Sequence, residues 1–157
     1  MSAIVKIWVE ASYNPAFRCG GWAFVRRDAE TLAGSAGGER SVTAERAALA
    51  ALAAALKDAP VGASVEILSS DKTVHSAWRR LAALRAGGEP PAEDLDLWAR
   101  LQTATQGRGA KVVPTANAPG GPTAFAKAWA DQAYERTKAK GAFVAPIPKV
   151  NLAKAGA

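Results

Sequence analysis

Along residues 4–57 the spacing of apolar side chains switches once, from every second position to every third or fourth, and a chain patterned this way must pack helices against a sheet. In Ile4–Val9 the residues Val5, Ile7 and Val9 alternate with Lys6 and Trp8, which predicts a strand. Gly20–Val25 reads as a second strand, and Thr31–Ala33 begins a short third after a turn at Asp28-Ala29. The alanine-rich run Thr43–Lys57 carries Leu49, Leu52 and Leu56 at helical spacing and ends ahead of Pro60 and Gly62. Further on come a strand at Val65–Leu68, a helix from Asp71 to about Arg85, a Gly/Pro loop over 87–91 and a helix over 93–106. A strand at Ala110–Val113, a loop over 114–122 and a helix over 123–137 complete the pattern. Strands reached through helices run parallel to their neighbours, whereas the first three form an antiparallel set. The expected fold is α/β, a mixed five-stranded sheet with helices on both faces.

A length of 157 residues suits one compact domain, placed at 1–137, and a mean hydropathy of −0.04 is that of a globular chain. Residues 138–157 hold four lysines, no acid and both Pro146 and Pro148, and are expected to form a flexible basic extension. The net charge of +6 and pI near 9.8 favour a polyanionic partner. A second basic cluster, Lys72, Arg79, Arg80 and Arg85, falls on a predicted helix, where a solvated charged face is the ordinary outcome. No apolar run approaches the roughly 20 residues of a membrane helix, and the first residues lack the pattern of a signal peptide. A cytoplasmic monomer with no membrane contact is the expectation. Cys19 is the sole cysteine, so an intrachain disulfide and a thiolate zinc cluster are excluded.

Four acids occupy the ends of four predicted elements: Glu10 closes the first strand, Glu45 opens a helix, Asp71 follows a strand, and Asp131 lies on the last helix. Glu45 leads the stripe Leu49, Leu52 and Leu56 that should face the sheet, and an ionised carboxylate there needs compensating charge. Asp71 leads Val74, Trp78 and Leu81 and also stands where an N-cap would. Glu10 and Asp131, taken singly, read equally well as surface acids. Like charges sharing one cleft resist ionising together unless a cation lies between them. Oxygen donors of this kind suit Mg²⁺, with Mn²⁺ as a substitute, and such ions commonly serve displacement at phosphorus.

The segment Ile7-Trp8-Val9-Glu10-Ala11-Ser12-Tyr13-Asn14-Pro15, followed by Gly20-Gly21-Trp22-Ala23, resembles the opening of ribonuclease H. In that family a strand ends in Asp-Gly-Ser, and a loop with Asn-Pro leads to a Gly-Gly-aromatic strand. Thr43-Ala44-Glu45-Arg46-Ala47-Ala48-Leu49 resembles its first helix, and Leu68-Ser69-Ser70-Asp71-Lys72-Thr73-Val74 its strand-to-helix aspartate. Leu95-Asp96-Leu97-Trp98-Ala99-Arg100-Leu101 is similar to the helix after its substrate-binding region, and Ala130-Asp131-Gln132-Ala133 to the last helix with its fourth carboxylate. The likeness, to the type 1 branch, runs in order over residues 4–137.

This resemblance implies an endoribonuclease that hydrolyses the RNA strand of RNA/DNA hybrids by two-metal-ion catalysis, with Glu10, Glu45, Asp71 and Asp131 as the catalytic and metal-holding residues. It further implies nucleic-acid contacts by Ser12, Asn14 and Thr43, a shortened basic region at Trp78, Arg79 and Arg80, and Asn117 in the loop where the family commonly has a histidine. Trp78 also shares the apolar stripe of its helix, so a packing role competes with nucleic-acid contact. Glu10 stands where the family has aspartate, and Ala11 where glycine is usual. The longer side chain moves the ligand oxygen by about one bond length, and Mg²⁺ tolerates little distortion. The single histidine, His75, falls at i+4 from Asp71 and reads as a solvent-facing helix residue. The alternative function is a catalytically weakened nucleic-acid-binding module of the same fold.

Overall fold

The computed structural model describes residues 4–29 and 31–157. Strands β1 (Ile4–Asn14), β2 (Cys19–Arg27) and β3 (Leu32–Arg40) form the antiparallel set, paired in register from Lys6↔Arg27 to Asn14↔Cys19 and from Cys19↔Arg40 to Arg27↔Leu32. On the other side of β1, β4 (Ser64–Ser69) and β5 (Gly109–Pro114) run parallel to it. A sixth strand, β6 (Phe143–Pro146), pairs antiparallel with β3, so the order across the sheet is β5-β4-β1-β2-β3-β6 rather than the five strands expected.

Helices α1 (Ala44–Lys57), α2 (Lys72–Arg85) and α3 (Leu95–Thr105) cover one face. Val5, Ile7, Val9, Trp22, Phe24, Val65 and Ile67 of the sheet meet Leu49, Leu52, Leu56, Val74, Leu81 and Leu101 there. The alternation read from the sequence decides which side chains reach this core, since the odd residues of β1 point into it. The other face takes α4 (Pro122–Lys140) and the short α5 (Lys149–Leu152), against Ala23, Val25 and Ala36.

The third strand is nine residues long, not the short segment anticipated at Thr31–Ala33. Its sequence, LAGSAGGER, has low β-propensity because packing selects for size here. A Cβ on Gly37 would lie 2.5 Å from the Trp22 ring, and one on Gly38 would lie 2.1 Å from Thr137 Oγ1. At Gly21 on β2, a Cβ would come within 2.3 Å of the Tyr134 backbone nitrogen, so α4 rests directly on the sheet backbone.

The expectation of a flexible extension over 138–157 is corrected. Ile147, Leu152 and Ala155 are buried in the second core, the Ile147 amide donates to the Gly34 carbonyl at 2.9 Å, and the Arg136 guanidinium lies 4.0 Å from the centre of the Phe143 ring. Pro146 and Pro148 stop the segment from being a long helix but leave it free to pair at a sheet edge. Removing residues 142–157 should therefore lower the melting temperature by about 10 °C, from about 4 kcal/mol of lost apolar burial. Differential scanning calorimetry of the shortened chain checks this, and an unchanged transition would contradict the docking of Ile147 and Leu152.

Candidate active site

The parallel pairing of β1 with β4 ends at Trp8↔Leu68, so β4 stops beside Glu10 in the middle of β1, which continues to Asn14 rather than closing at Glu10 as expected, and the chain leaves in opposite directions, β1 toward β2 and β4 toward β5. In open α/β sheets such a divergence leaves a crevice beyond the strand ends in which ligands bind. Glu10 lies on β1 at this edge, and Ser69, Ser70 and Asp71 follow at the end of β4.

Glu10 is only 1% exposed, the most deeply buried acid among the described residues. Its Oε2 accepts hydrogen bonds from Ser69 Oγ and the Ser70 amide, both at 2.9 Å, and Oε1 accepts one from Ser70 Oγ. Burial pushes its pKa above the ordinary carboxyl value; the bonds from Ser70 and Ser69 pull it back, and the neighbouring Asp71 charge adds to the rise. No basic side chain pairs with it among the described residues. Strand alternation places Glu10 opposite Ala23, on the α4 side of the sheet.

Asp71 is the N-cap of α2, its Oδ1 accepting from the amides of Thr73 at 2.8 Å and Val74 at 3.2 Å. Its own amide donates to Ser69 Oγ at 3.1 Å, so one serine hydroxyl links the two acids. His75 does not face solvent as expected: it is half-buried, and its Nε2 lies 2.8 Å from the Ser69 carbonyl, to which it donates. The sequence reading missed Ser69 and Ser70; the signal available was a pair of hydroxyl residues immediately before the strand-end aspartate.

The other two carboxylates have different partners. Glu45 does not turn into the core; it accepts from Arg80 Nη1 at 2.7 and 3.0 Å, bridging α1 to α2. Asp131 is paired with Lys127 at 3.0 Å. Among the described residues no group of three or more His, Cys, Asp or Glu side chains stands close enough to hold a metal ion. The structure thus joins Glu10 to Asp71 and leaves Glu45 and Asp131 on side-chain cations.

The residues expected to touch nucleic acid lie around this edge in differing states. Asn14 Oδ1 accepts from the Ala16 amide at 2.9 Å and Thr43 Oγ1 from the Arg46 amide at 3.1 Å, so both stabilise local backbone while keeping a donor free. Ser12 is half-buried on β1, and Asn117 is exposed in the 115–121 loop. Trp78 is partly buried against the first core, which favours its packing role. All four residues of the basic cluster are exposed, but Arg80 is held by Glu45 with its guanidinium 5.3 Å from the Trp98 ring centre and Arg85 bonds Thr105, whereas Lys72 and Arg79 make no ion pair among the described residues.

One further network sets the α1–α3 spacing. Arg46 reaches Asp94 and Asp96 at 3.0 Å each and Glu39 at 3.3 Å, and its guanidinium holds the Asp96 carboxyl at a pKa of about 2. A lowered folded pKa contributes stability above the ordinary aspartate range that is lost as pH falls toward 2. Arg46→Leu should therefore melt several degrees lower at pH 7, with the gap closing below pH 4 as protonation removes the charge interaction from the parent too. A gap that stays constant down to pH 2 in thermal melts would assign the loss to packing alone.

Comparison with known proteins fits this arrangement. The chain is 30% identical over 110 residues to a ribonuclease H of Acidiphilium cryptum (strain JF-5), a match spanning 66% of this chain and 68% of that protein. It belongs to the ribonuclease H family. No protein-family model matches it. Among solved structures, the N-terminal RNase H domain of a Mycobacterium tuberculosis protein, fused to maltose-binding protein, superposes with a TM-score of 0.62 at 20% identity, over 88% of this chain and 98% of that one. LC9-RNase H1, described as a type 1 RNase H with the type 2 active-site motif, superposes with a TM-score of 0.62 at 14% identity, over 96% of this chain and 80% of that one. These two likenesses establish the shared fold.

The residues where β4 ends beside β1 suit a divalent cation in their chemistry. A buried carboxylate with a raised pKa, beside a second carboxylate and with no basic partner, lacks positive charge, and oxygen-only donors select hard ions such as Mg²⁺ and Mn²⁺.

Proposed function

We propose that this chain hydrolyses the RNA strand of RNA/DNA hybrids with divalent cations held by Glu10 and Asp71, joined by Asp131 and Glu45 when these leave their present partners. The observation that carries the reading is the buried Glu10, linked through Ser69 to Asp71 where β4 ends beside β1 in a member of the ribonuclease H family. When bound, such ions lower the pKa of coordinated water and stabilise charge on attacking and departing oxygens at phosphorus.

The chain's own groups do the rest. Ser69 and Ser70 fix both Glu10 oxygens, and the α2 amides fix one oxygen of Asp71, leaving its other oxygen available to a ligand. Lys72 and Arg79 present exposed cations to backbone phosphates. The spare donors of Asn14 and Thr43 suit phosphate or 2′-hydroxyl oxygens, contacts that read sugar identity and helix shape rather than bases. Asn117 can donate a hydrogen bond to phosphate or water but has no titratable group near neutral pH, so it does not replace a loop histidine as an acid.

A second reading, a binding module with weakened catalysis, is favoured by the commitment of Glu45 to Arg80 and of Asp131 to Lys127. Incubation of labelled RNA/DNA hybrid, duplex RNA and duplex DNA with Mg²⁺ or Mn²⁺ separates the two. Cleavage confined to the RNA strand of the hybrid supports the enzyme, and salt-sensitive hybrid binding without cleavage in either metal supports the module.

A further inference from the structure

Lys127 sits on α4 one turn before Asp131, and its ammonium makes two contacts: an ion pair to Asp131 Oδ1 at 3.0 Å and a hydrogen bond to the Ala11 carbonyl at 3.1 Å. An i,i+4 ion pair on a helix surface is ordinary. The second contact is not, because it crosses from α4 to β1 and ends on the residue that follows Glu10. A positive charge is thereby fixed between the fourth carboxylate and the strand that carries the first.

The position of this ammonium is set by the sheet. Ala126 and Ala130, flanking Lys127 on α4, are fully buried, and the helix backbone lies so close to Gly21 that no Cβ fits between them. The helix has no room to move toward the sheet, and withdrawal would open the second core. The lysine side chain is 37% exposed, so a ligand of Asp131 can displace its ammonium toward water without disturbing the core.

We propose that Lys127 is a tethered cation that competes with a divalent metal ion for Asp131 and so weakens metal binding at the Glu10–Asp71 edge. This rests on the metal-site reading above. An ion that takes Asp131 as a ligand must either displace the ammonium or accept a like charge within a few ångströms; each weakens binding, whereas removal of the charge strengthens it. Without metal, the same lysine neutralises Asp131 and ties α4 to β1.

Isothermal titration of Mn²⁺ into the full chain tests the inference without reference to cleavage. Lys127→Met should bind Mn²⁺ about tenfold more tightly than the parent, Lys127→Arg should keep the parent's affinity, and adding Asp131→Asn to Lys127→Met should remove the gain. Should Lys127→Met fail to fold, judged by its melting transition, Lys127→Gln removes the same charge with less change in polarity. Equal or weaker Mn²⁺ binding in the neutral variant, where the parent binds measurably, overturns the role of Lys127 and leaves the metal site standing. Absence of binding in both parent and neutral variant overturns the metal site and the inference together.

Discussion

Asp71→Asn should lower cleavage of an RNA/DNA hybrid at least about a hundredfold while leaving the melting temperature within about 2 °C of the parent. The two halves of this result come from different atoms. Asp71 Oδ1 accepts from the Thr73 and Val74 amides, and asparagine, which caps helices as well as aspartate does, keeps an oxygen there. What is lost is the anionic charge, and a ligand amide holds a hard divalent cation far more weakly than a carboxylate. Losing the charge also relieves repulsion on Glu10, so the substitution does not lower stability through that route. A quantitative cleavage assay in Mg²⁺ and Mn²⁺, run beside a thermal melt, measures both. Undiminished turnover in a folded Asp71→Asn protein would falsify the assignment of Asp71 to the metal site.

The legible part of the fold was the part governed by period. The apolar alternation of β1 and the leucine spacing of α1 depend on contacts with the large first core, and that core imposes its spacing on the sequence. The second core is built differently. It joins alanines and glycines of β2, β3 and α4 to Ile147 and Leu152, and small residues chosen for close approach carry almost no periodic signal. For the same reason β3 read as too short, and residues 138–157, rich in lysine and broken by prolines, read as loose although they supply a strand and three buried apolar side chains.

In the site, positions along the chain were legible and partners were not. The sequence places Glu10 and Asp71 just after strand-forming runs, and the parallel pairing of β1 with β4 then brings them together, although β1 itself continues past Glu10 to Asn14. The periodicity of α1 puts Glu45 on the stripe that faces the sheet, yet its side chain turns toward Arg80, 35 residues away, because a first-turn glutamate at the open end of a helix is free to do either. Lys127 shows the converse: its i,i+4 relation to Asp131 is visible in the sequence, but its contact with Ala11 depends on how α4 crosses the sheet.

Glu10 yields the sharpest test, because its folding and catalytic roles pull in opposite directions. Its folded pKa is raised by burial, so the native state holds a proton more readily than the unfolded chain does. Stability from the neutral form is complete below the ordinary value of 4.5 and is lost as pH rises through the folded value. In chelator at pH 7, Glu10→Gln should therefore melt a few degrees above the parent, about 3 °C for each kcal/mol of relieved charge burial, and the difference should vanish below pH 4. The amide fits the same hydrogen-bonding groups: its oxygen can take the Ser69 hydroxyl and the Ser70 amide, and its NH₂ can donate to Ser70 Oγ. The same variant should lose both metal-dependent stabilisation and hybrid cleavage. Glu10→Asp separates charge from reach. Shortening the side chain by about 1.5 Å draws the carboxylate away from the two serines that grip it, so this site is adapted to glutamate and the aspartate variant should cleave more slowly in Mg²⁺, with Mn²⁺ restoring part of the loss. Thermal melts from pH 3 to 8 in chelator and in Mn²⁺, paired with cleavage rates, read out all three proteins. Parent-like activity of Glu10→Gln in both metals would remove Glu10 from the catalytic set, whatever its effect on the melt.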